Sequence, residues 1–184
     1  MTLVNETITG GTAPQAAPVF IRKAAVPLDD EAARLEALRR TGLLDSVPEP
    51  AFDDLVSWAC DHFRVPIALV SLMDAERQWF KAHRGLPVQE TPRDIAFCRF
   101  TIRQSLPMVV EDAASDPRFQ DNPLVLGDPN IRFYAGAPII NRQGLALGSV
   151  CLIDTVPRGF GTVDRIVLAQ LTVTALVAIE QRQR

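Results

Sequence analysis

At 184 residues, with 47% hydrophobic and 22% charged residues, the chain suits one domain with a full core. The net charge of −3, with both signs spread along the sequence and no basic block, argues against nucleic acid as a partner. The N-terminus lacks the pattern of a secretory signal, and no apolar run is expected to reach the length of a membrane span. The three cysteines, Cys60, Cys98 and Cys151, are odd in number and far apart, which argues against a disulfide framework and for a cytoplasmic setting without membrane attachment.

Residues 1–27, rich in Thr, Gly, Ala and Pro without a sustained period, read as a disordered or loosely docked arm, leaving 28–184 as a single domain. Asp29 or Asp30 can cap a helix reaching Thr41, with acids in its first turn, Arg39-Arg40 in its last and Gly42 as its stop. Ala32, Leu35 and Leu38 form a narrow apolar stripe on it. Pro50 suits the first position of a second helix, whose buried face is Phe52, Leu55, Val56, Ala59, Cys60 and Phe63. Val65-Pro66 ends it. Residues 67–73 and 78–83 then read as a hairpin about Asp74-Ala75-Glu76. Leu86 to Asp94 reads as loop, 95–104 as a short helix and 108–110 as a short strand. Residues 111–130, crowded with Asp, Pro and Gly, are too long for a plain connector and suggest a functional loop or small local helices.

The organising stretch follows. Phe133 to Ile140 and Leu145 to Ile153 are uncharged apolar arms joined by Asn141-Arg142-Gln143-Gly144, an antiparallel hairpin destined for a sheet centre covered on both faces. Gly136 and Gly148 mark bulges or close approaches to the backbone. Thr162 then caps a final helix that reaches the C-terminus. The order gives an α+β domain: one antiparallel sheet with the terminal helices on one face.

Phe133-Tyr134-Ala135-Gly136-Ala137-Pro138, Leu147-Gly148-Ser149-Val150-Cys151-Leu152-Ile153-Asp154 and Pro157-Arg158 resemble the last two core strands of a GAF domain. The version in question stands at the sensory end of bacterial histidine kinases and diguanylate cyclases. Asp116-Pro117-Arg118-Phe119, Asn122-Pro123, Thr91-Pro92-Arg93 and Phe97-Cys98 extend the similarity, which covers roughly 29–184. The resemblance implies a GAF/PAS-like fold in which the loop and short-helix segment covers the other face of the sheet and encloses a pocket. It does not imply a ligand, because one fold hosts many functions.

Cys98 lies in the general region where related photoreceptors attach a bilin, but those often carry a His directly after the Cys, and Arg99 stands there instead. A buried structural thiol without a cofactor is therefore expected, and the purified protein should be colourless. With three cysteines in a small GAF protein, the chain also resembles the free methionine sulfoxide reductases, which need a nucleophilic and a resolving Cys close in space, but the cysteine pattern of those enzymes is not matched. Cys60 lies on a packed helix face and Cys151 in a core strand, so neither is expected to meet Cys98 at an open pocket. His62 and His83 have no ligand-like partners in the sequence, so no metal site is expected. Trp79, Phe97, Phe119 and Tyr134 are candidates to line the pocket, with ordinary core as the alternative. Arg93 and Arg118 read either as loop staples or as anion contacts for a ligand, the staple being the simpler reading.

The expectation is a non-catalytic sensory domain that binds a small ligand or a partner and signals through its terminal helices to an output kinase or cyclase, in cis or in trans. A structural dimerisation module with a filled pocket is the alternative. The final helix carries no charge from Ile166 to Ile179 and has two apolar directions: Ile166, Val173 and Leu176, and Leu168, Leu171, Ala175 and Ile179. Gln170, Thr172 and Thr174 make lipid a poor explanation, so a symmetric homodimer is expected. Its candidate contacts are Leu35, Leu38, Leu168, Leu171, Ala175 and Ile179.

Overall fold

The computed structural model describes residues 30–182; the expected N-terminal arm lies outside the described residues. Asp30 accepts the Ala33 N–H at 2.8 Å and opens helix α1, Glu31–Arg40. Pro50 opens α2, Pro50–Phe63, which stops where Arg64 turns left-handed at φ 52°. Strands β1 (Ile67–Met73) and β2 (Arg77–Arg84) form the first hairpin. The supposed loop after it contains a short edge strand, β3 (Glu90–Pro92), paired with β2. Three residues with a proline leave almost no strand signal, so the pairing depends on β2 offering its edge. Helix α3 is a single turn, Cys98–Thr101, shorter than the sequence suggests. Then come β4 (Met108–Val110), the local helix α4 (Pro123–Leu126), β5 (Phe133–Ile140), β6 (Ala146–Asp154) and α5 (Thr162–Arg182). At the start of α5 the Asp164 carboxylate accepts the Gly161 N–H at 2.9 Å.

The six strands lie in the order β3-β2-β1-β6-β5-β4, with every pair antiparallel. Two cores flank the sheet, and strand alternation assigns residues to them. On the helical face, Ala68, Val70 and Leu72 of β1, Phe133, Ala135, Ala137 and Ile139 of β5, and Val150 and Leu152 of β6 pack under α1, α2 and α5. On the other face, Leu69, Met73, Phe80, Tyr134, Cys151 and Ile153 pack under α3, α4 and their loops. The hairpin arms of β5 and β6 are buried along almost their whole length. Gly148 explains how β1 and β6 come so close: a Cβ there would sit 1.9 Å from the Ser71 carbonyl oxygen.

Three expectations about the helices need correction. On α1, Ala32 is exposed and Leu35 only half-buried, while Arg34 is 5% exposed. The Arg34 guanidinium donates to the Met73 carbonyl at 2.6 Å and the Ala146 carbonyl at 3.2 Å, and chelates Glu31. A cation anchors α1 to the sheet where a greasy stripe was expected. Leu38, Leu168, Ala175 and Ile179, assigned to a dimer interface, are all at most 2% exposed within one chain. They face the sheet; Leu171 is half-buried beside them, and Leu35 is half-buried on α1. The outward direction of α5 is instead Val163, Ile166, Val173 and Val177, exposed by 72, 54, 60 and 47%. Finally, α5 is long and apolar enough to cross a membrane by length and composition. Gln170, Thr172 and Thr174 interrupt its apolar run without making the helix polar overall. Its inner face is docked on the sheet, and its end is tied by Arg142–Glu180 at 2.7 Å and Arg182–Glu49 at 2.9 Å.

Candidate functional site

A cavity of about 210 Å³ opens on the face of the sheet opposite α1, α2 and α5. Its floor is Leu69 of β1, Gln78 and Phe80 of β2, Tyr134 of β5 and Ile153 of β6. Leu86, Pro87, Val88, Glu90 and Thr91 form one wall; Phe97 and Cys98 form another; Leu124, Asp128, Pro129 and Ile131 close the last. Val88, Glu90 and Asp128 are exposed at the rim, so the cavity communicates with solvent. The residues lining it include no Lys, Arg or His, and most are apolar.

Two polar groups stand out on this apolar surface. The Thr91 hydroxyl is the one buried side-chain polar atom among the described residues with no hydrogen-bond partner. The second is Cys98. Its sulfur receives hydrogen bonds from the Gln78 amide at 3.1 Å, the Tyr134 hydroxyl at 3.3 Å and the Ser71 hydroxyl at 3.4 Å. The Cys151 sulfur lies 3.0 Å away. Ser149 completes the cluster, 3.0 Å from the Ser71 hydroxyl and 3.2 Å from the Cys151 sulfur. Burial opposes ionisation of both thiols, but the bonds that Cys98 gains from Cys151, Ser149, Ser71 and Tyr134 outweigh it there and hold its pKa below the ordinary thiol range. Burial first, and then the neighbouring Cys98, push the Cys151 thiol well up.

Tyr134 is held by Thr101 at 2.6 Å, and its phenol occupies the space above Gly136, where a Cβ would lie 2.1 Å from the hydroxyl oxygen. The glycine in β5 thus makes room for the side chain that reaches Cys98.

The structure brings Phe97, Cys98 and Tyr134 together at the cavity and sends the other three candidates elsewhere. Trp79 belongs to the helical core, because period-two alternation places it opposite Gln78 and Phe80. Phe119 lies behind the cavity wall, stacked on Phe97 at 4.1 Å. Arg93 is a staple: it donates to the carbonyls of Asp74 at 2.8 Å and Ala75 at 3.2 Å, and pairs with Glu31 at 2.8 Å. Arg118 is spent likewise on Asp116 at 2.6 Å, over the Phe119 ring. Cys151 does meet Cys98, though behind the cavity wall rather than at the open pocket: the turn at 97–98 drops Cys98 onto the strand face where Cys151 points. Gln78 and Thr91 were missed. Alternation with the neighbouring aromatic residue was the available signal for Gln78; Thr91 stood in the motif Thr91-Pro92-Arg93, where attention went to the arginine. His62, exposed, stacks on Trp58 at 4.4 Å, and no cluster of potential metal ligands occurs among the described residues.

Comparison with known proteins agrees with this architecture. A protein named cyclic di-GMP phosphodiesterase from Pseudomonas aeruginosa is 46% identical over 131 residues, which is 71% of this chain and 22% of that protein. The chain thus spans about a fifth of that relative's length. The GAF domain of an Acinetobacter phosphoenolpyruvate-protein phosphotransferase superposes with a TM-score of 0.62 at 20% identity, covering 81% of this chain and 93% of that one. A free methionine-R-sulfoxide reductase from Neisseria meningitidis, in complex with its substrate, superposes at 0.60 with 15% identity, covering 83 and 91%. At such identities the likeness is one of fold. The GAF domain family model matches residues 47–180, from just before α2 to near the end of α5, and the chain belongs to the GAF family.

Proposed function

We propose that this GAF domain is a non-catalytic sensory module whose ligand is a small, largely apolar molecule without a strong negative charge. The observation that carries the reading is the unpartnered Thr91 hydroxyl in the wall of a mostly apolar cavity. A ligand with one hydrogen-bonding group would satisfy it. The absence of Lys, Arg and His from the lining disfavours an anion, and Arg93 and Arg118 are already committed to staples. A cyclic dinucleotide, dianionic and with no basic side chain in the lining to meet its phosphates, is a poor fit. If the domain serves a cyclic di-GMP enzyme, as the name of its Pseudomonas relative suggests, it senses something else and acts on an output domain in cis or in trans. An open cavity also favours a sensor over a dimerisation module filled by its own side chains.

The signal leaves through the terminal helices of a cytoplasmic homodimer. Val163, Ile166, Val173 and Val177 recur at heptad-like intervals on the outer face of α5, with Gln170 among them, and suit a second copy of the same helix. Native mass spectrometry of protein purified from cells should show a small non-covalent adduct, lost in Thr91→Val. An adduct-free protein whose thermal midpoint responds to no small neutral compound would overturn the ligand reading.

A further inference from the structure

The Cys98–Cys151 cluster is not needed for binding an apolar ligand, and the fold does not require it: two buried alkyl side chains would pack as well. Instead three hydrogen-bond donors converge on the Cys98 sulfur, and a second thiol lies within 3.0 Å. Donors aimed at sulfur favour its anionic form, which is the nucleophile. Cys98 lines a cavity open to solvent, so a small reagent can reach it although its own exposure is only 1%. Cys60, by contrast, sits on the helical core and has no sulfur partner; burial raises its thiol pKa.

From a thiol in the cavity wall with a second thiol buried directly behind it, we propose that Cys98 and Cys151 form a reversible dithiol–disulfide site, oxidised by a small hydroperoxide that enters through the cavity. The Cys98 thiolate attacks the distal peroxide oxygen. The O–O bond breaks, the alcohol leaves with the thiol proton, and Cys98 becomes a sulfenic acid. The Cys151 sulfur then attacks the Cys98 sulfur. The S–O bond breaks, the hydroxyl departs as water with the Cys151 proton, and a disulfide joins α3 to β6. In sum, two thiols and one hydroperoxide give one disulfide, one alcohol and one water. Gln78 and Tyr134 lose their sulfur-anion acceptor in the process and face the cavity with donors to spare. The site goes beyond ligand sensing and does not depend on it, since it requires only that the cavity admit the oxidant.

The test uses the full chain and tert-butyl hydroperoxide as the probe. Treated protein should lose a pair of hydrogens by intact mass and yield a peptide cross-linked between Cys98 and Cys151, with dithiothreitol restoring both thiols. Cys60 should react at least about tenfold more slowly. In Cys151→Ser the reaction should stop at a Cys98 sulfenic acid that dimedone captures. Oxidation of Cys60 as fast as the pair, conversion of Cys98 to sulfinic acid without a cross-link, or no reaction of either thiol would overturn the proposal. The wild-type measurement decides the matter even if Cys151→Ser fails to fold.

Discussion

Gly148→Ala tests whether the close approach of β1 and β6 is as tight as the geometry indicates. The new Cβ would lie 1.9 Å from the Ser71 carbonyl oxygen and 2.9 Å from the Leu72 Cα, both backbone atoms of the neighbouring central strand. Reaching even the 3.0 Å limit for real Cβ contacts requires a separation of about 1 Å. Strands spaced by about 4.8 Å cannot part that far without breaking the adjacent N–H···O bonds. Two or three such bonds, at about 1 kcal/mol net each, together with the carbonyls left dry, amount to about 3–5 kcal/mol. That is a large part of the usual stability of a domain. Two controls separate clash from chemistry. Gly144→Ala meets nothing within 4 Å but sits at φ +84°, so it should cost about 1 kcal/mol of backbone strain. Gly159→Ala meets nothing and has no unusual φ, so it should be neutral or slightly stabilising. Urea unfolding followed by circular dichroism gives all three. If Gly148→Ala costs no more than Gly144→Ala, the reasoning about the central strands is wrong.

Ile166→Glu with Val173→Glu should give a folded monomer by sedimentation, whereas Leu168→Glu should unfold the chain because that side chain is buried against the sheet. A wild-type chain that is monomeric at high concentration would remove the dimer. Glu31, bound by Arg34 and then Arg93, has its pKa lowered to about 2 from 4.5. Its contribution is therefore complete above pH 4.5 and fades as pH falls toward 2; with half the side chain in water it is worth about 1 kcal/mol, read as the difference in acid unfolding between wild type and Glu31→Gln. Residues 111–130, held largely by turn and side-chain bonds such as Asp116–Arg118 and Asn122 to the Ile95 carbonyl, should exchange amide hydrogens faster than 133–153; equal protection would count against a mobile cover.

The fold was legible where burial follows a period. The stripe from Phe52 to Cys60 and the uncharged arms of β5 and β6 each state their own element and their own burial. The site was legible only in part, because sequence cannot show which of two faces a central strand turns toward the cavity. Trp79 and Gln78 are adjacent, and a reading that favours aromatic side chains picks the one that alternation sends to the helices. Cys98 and Cys151 stand 53 positions apart, and only the crossing of α3 over β6 unites them. The two directions on α5 were visible in the sequence, but not which one the sheet would take. Small Ala175 allows a close approach there, and the β-branched Val173 and Val177 were left outside.

Glu31 links two regions that the sequence gives no reason to connect. Its carboxylate is shared between Arg34, which grips the carbonyls of Met73 and Ala146, and Arg93, which grips those of Asp74 and Ala75. Arg93 follows Pro92 at the end of β3, two residues from the Thr91 hydroxyl in the cavity wall. A ligand that draws Thr91 inward pulls on a strand only three residues long, paired on one side to β2. Such a strand yields more readily than β1, which is paired on both sides. Movement of Arg93 then has to be accommodated by Glu31, because a buried guanidinium such as that of Arg34 is costly to leave without its counter-ion. One carboxylate and two arginines thus connect the cavity wall to the N-terminal helix, a route through which a ligand at Thr91 would be felt there.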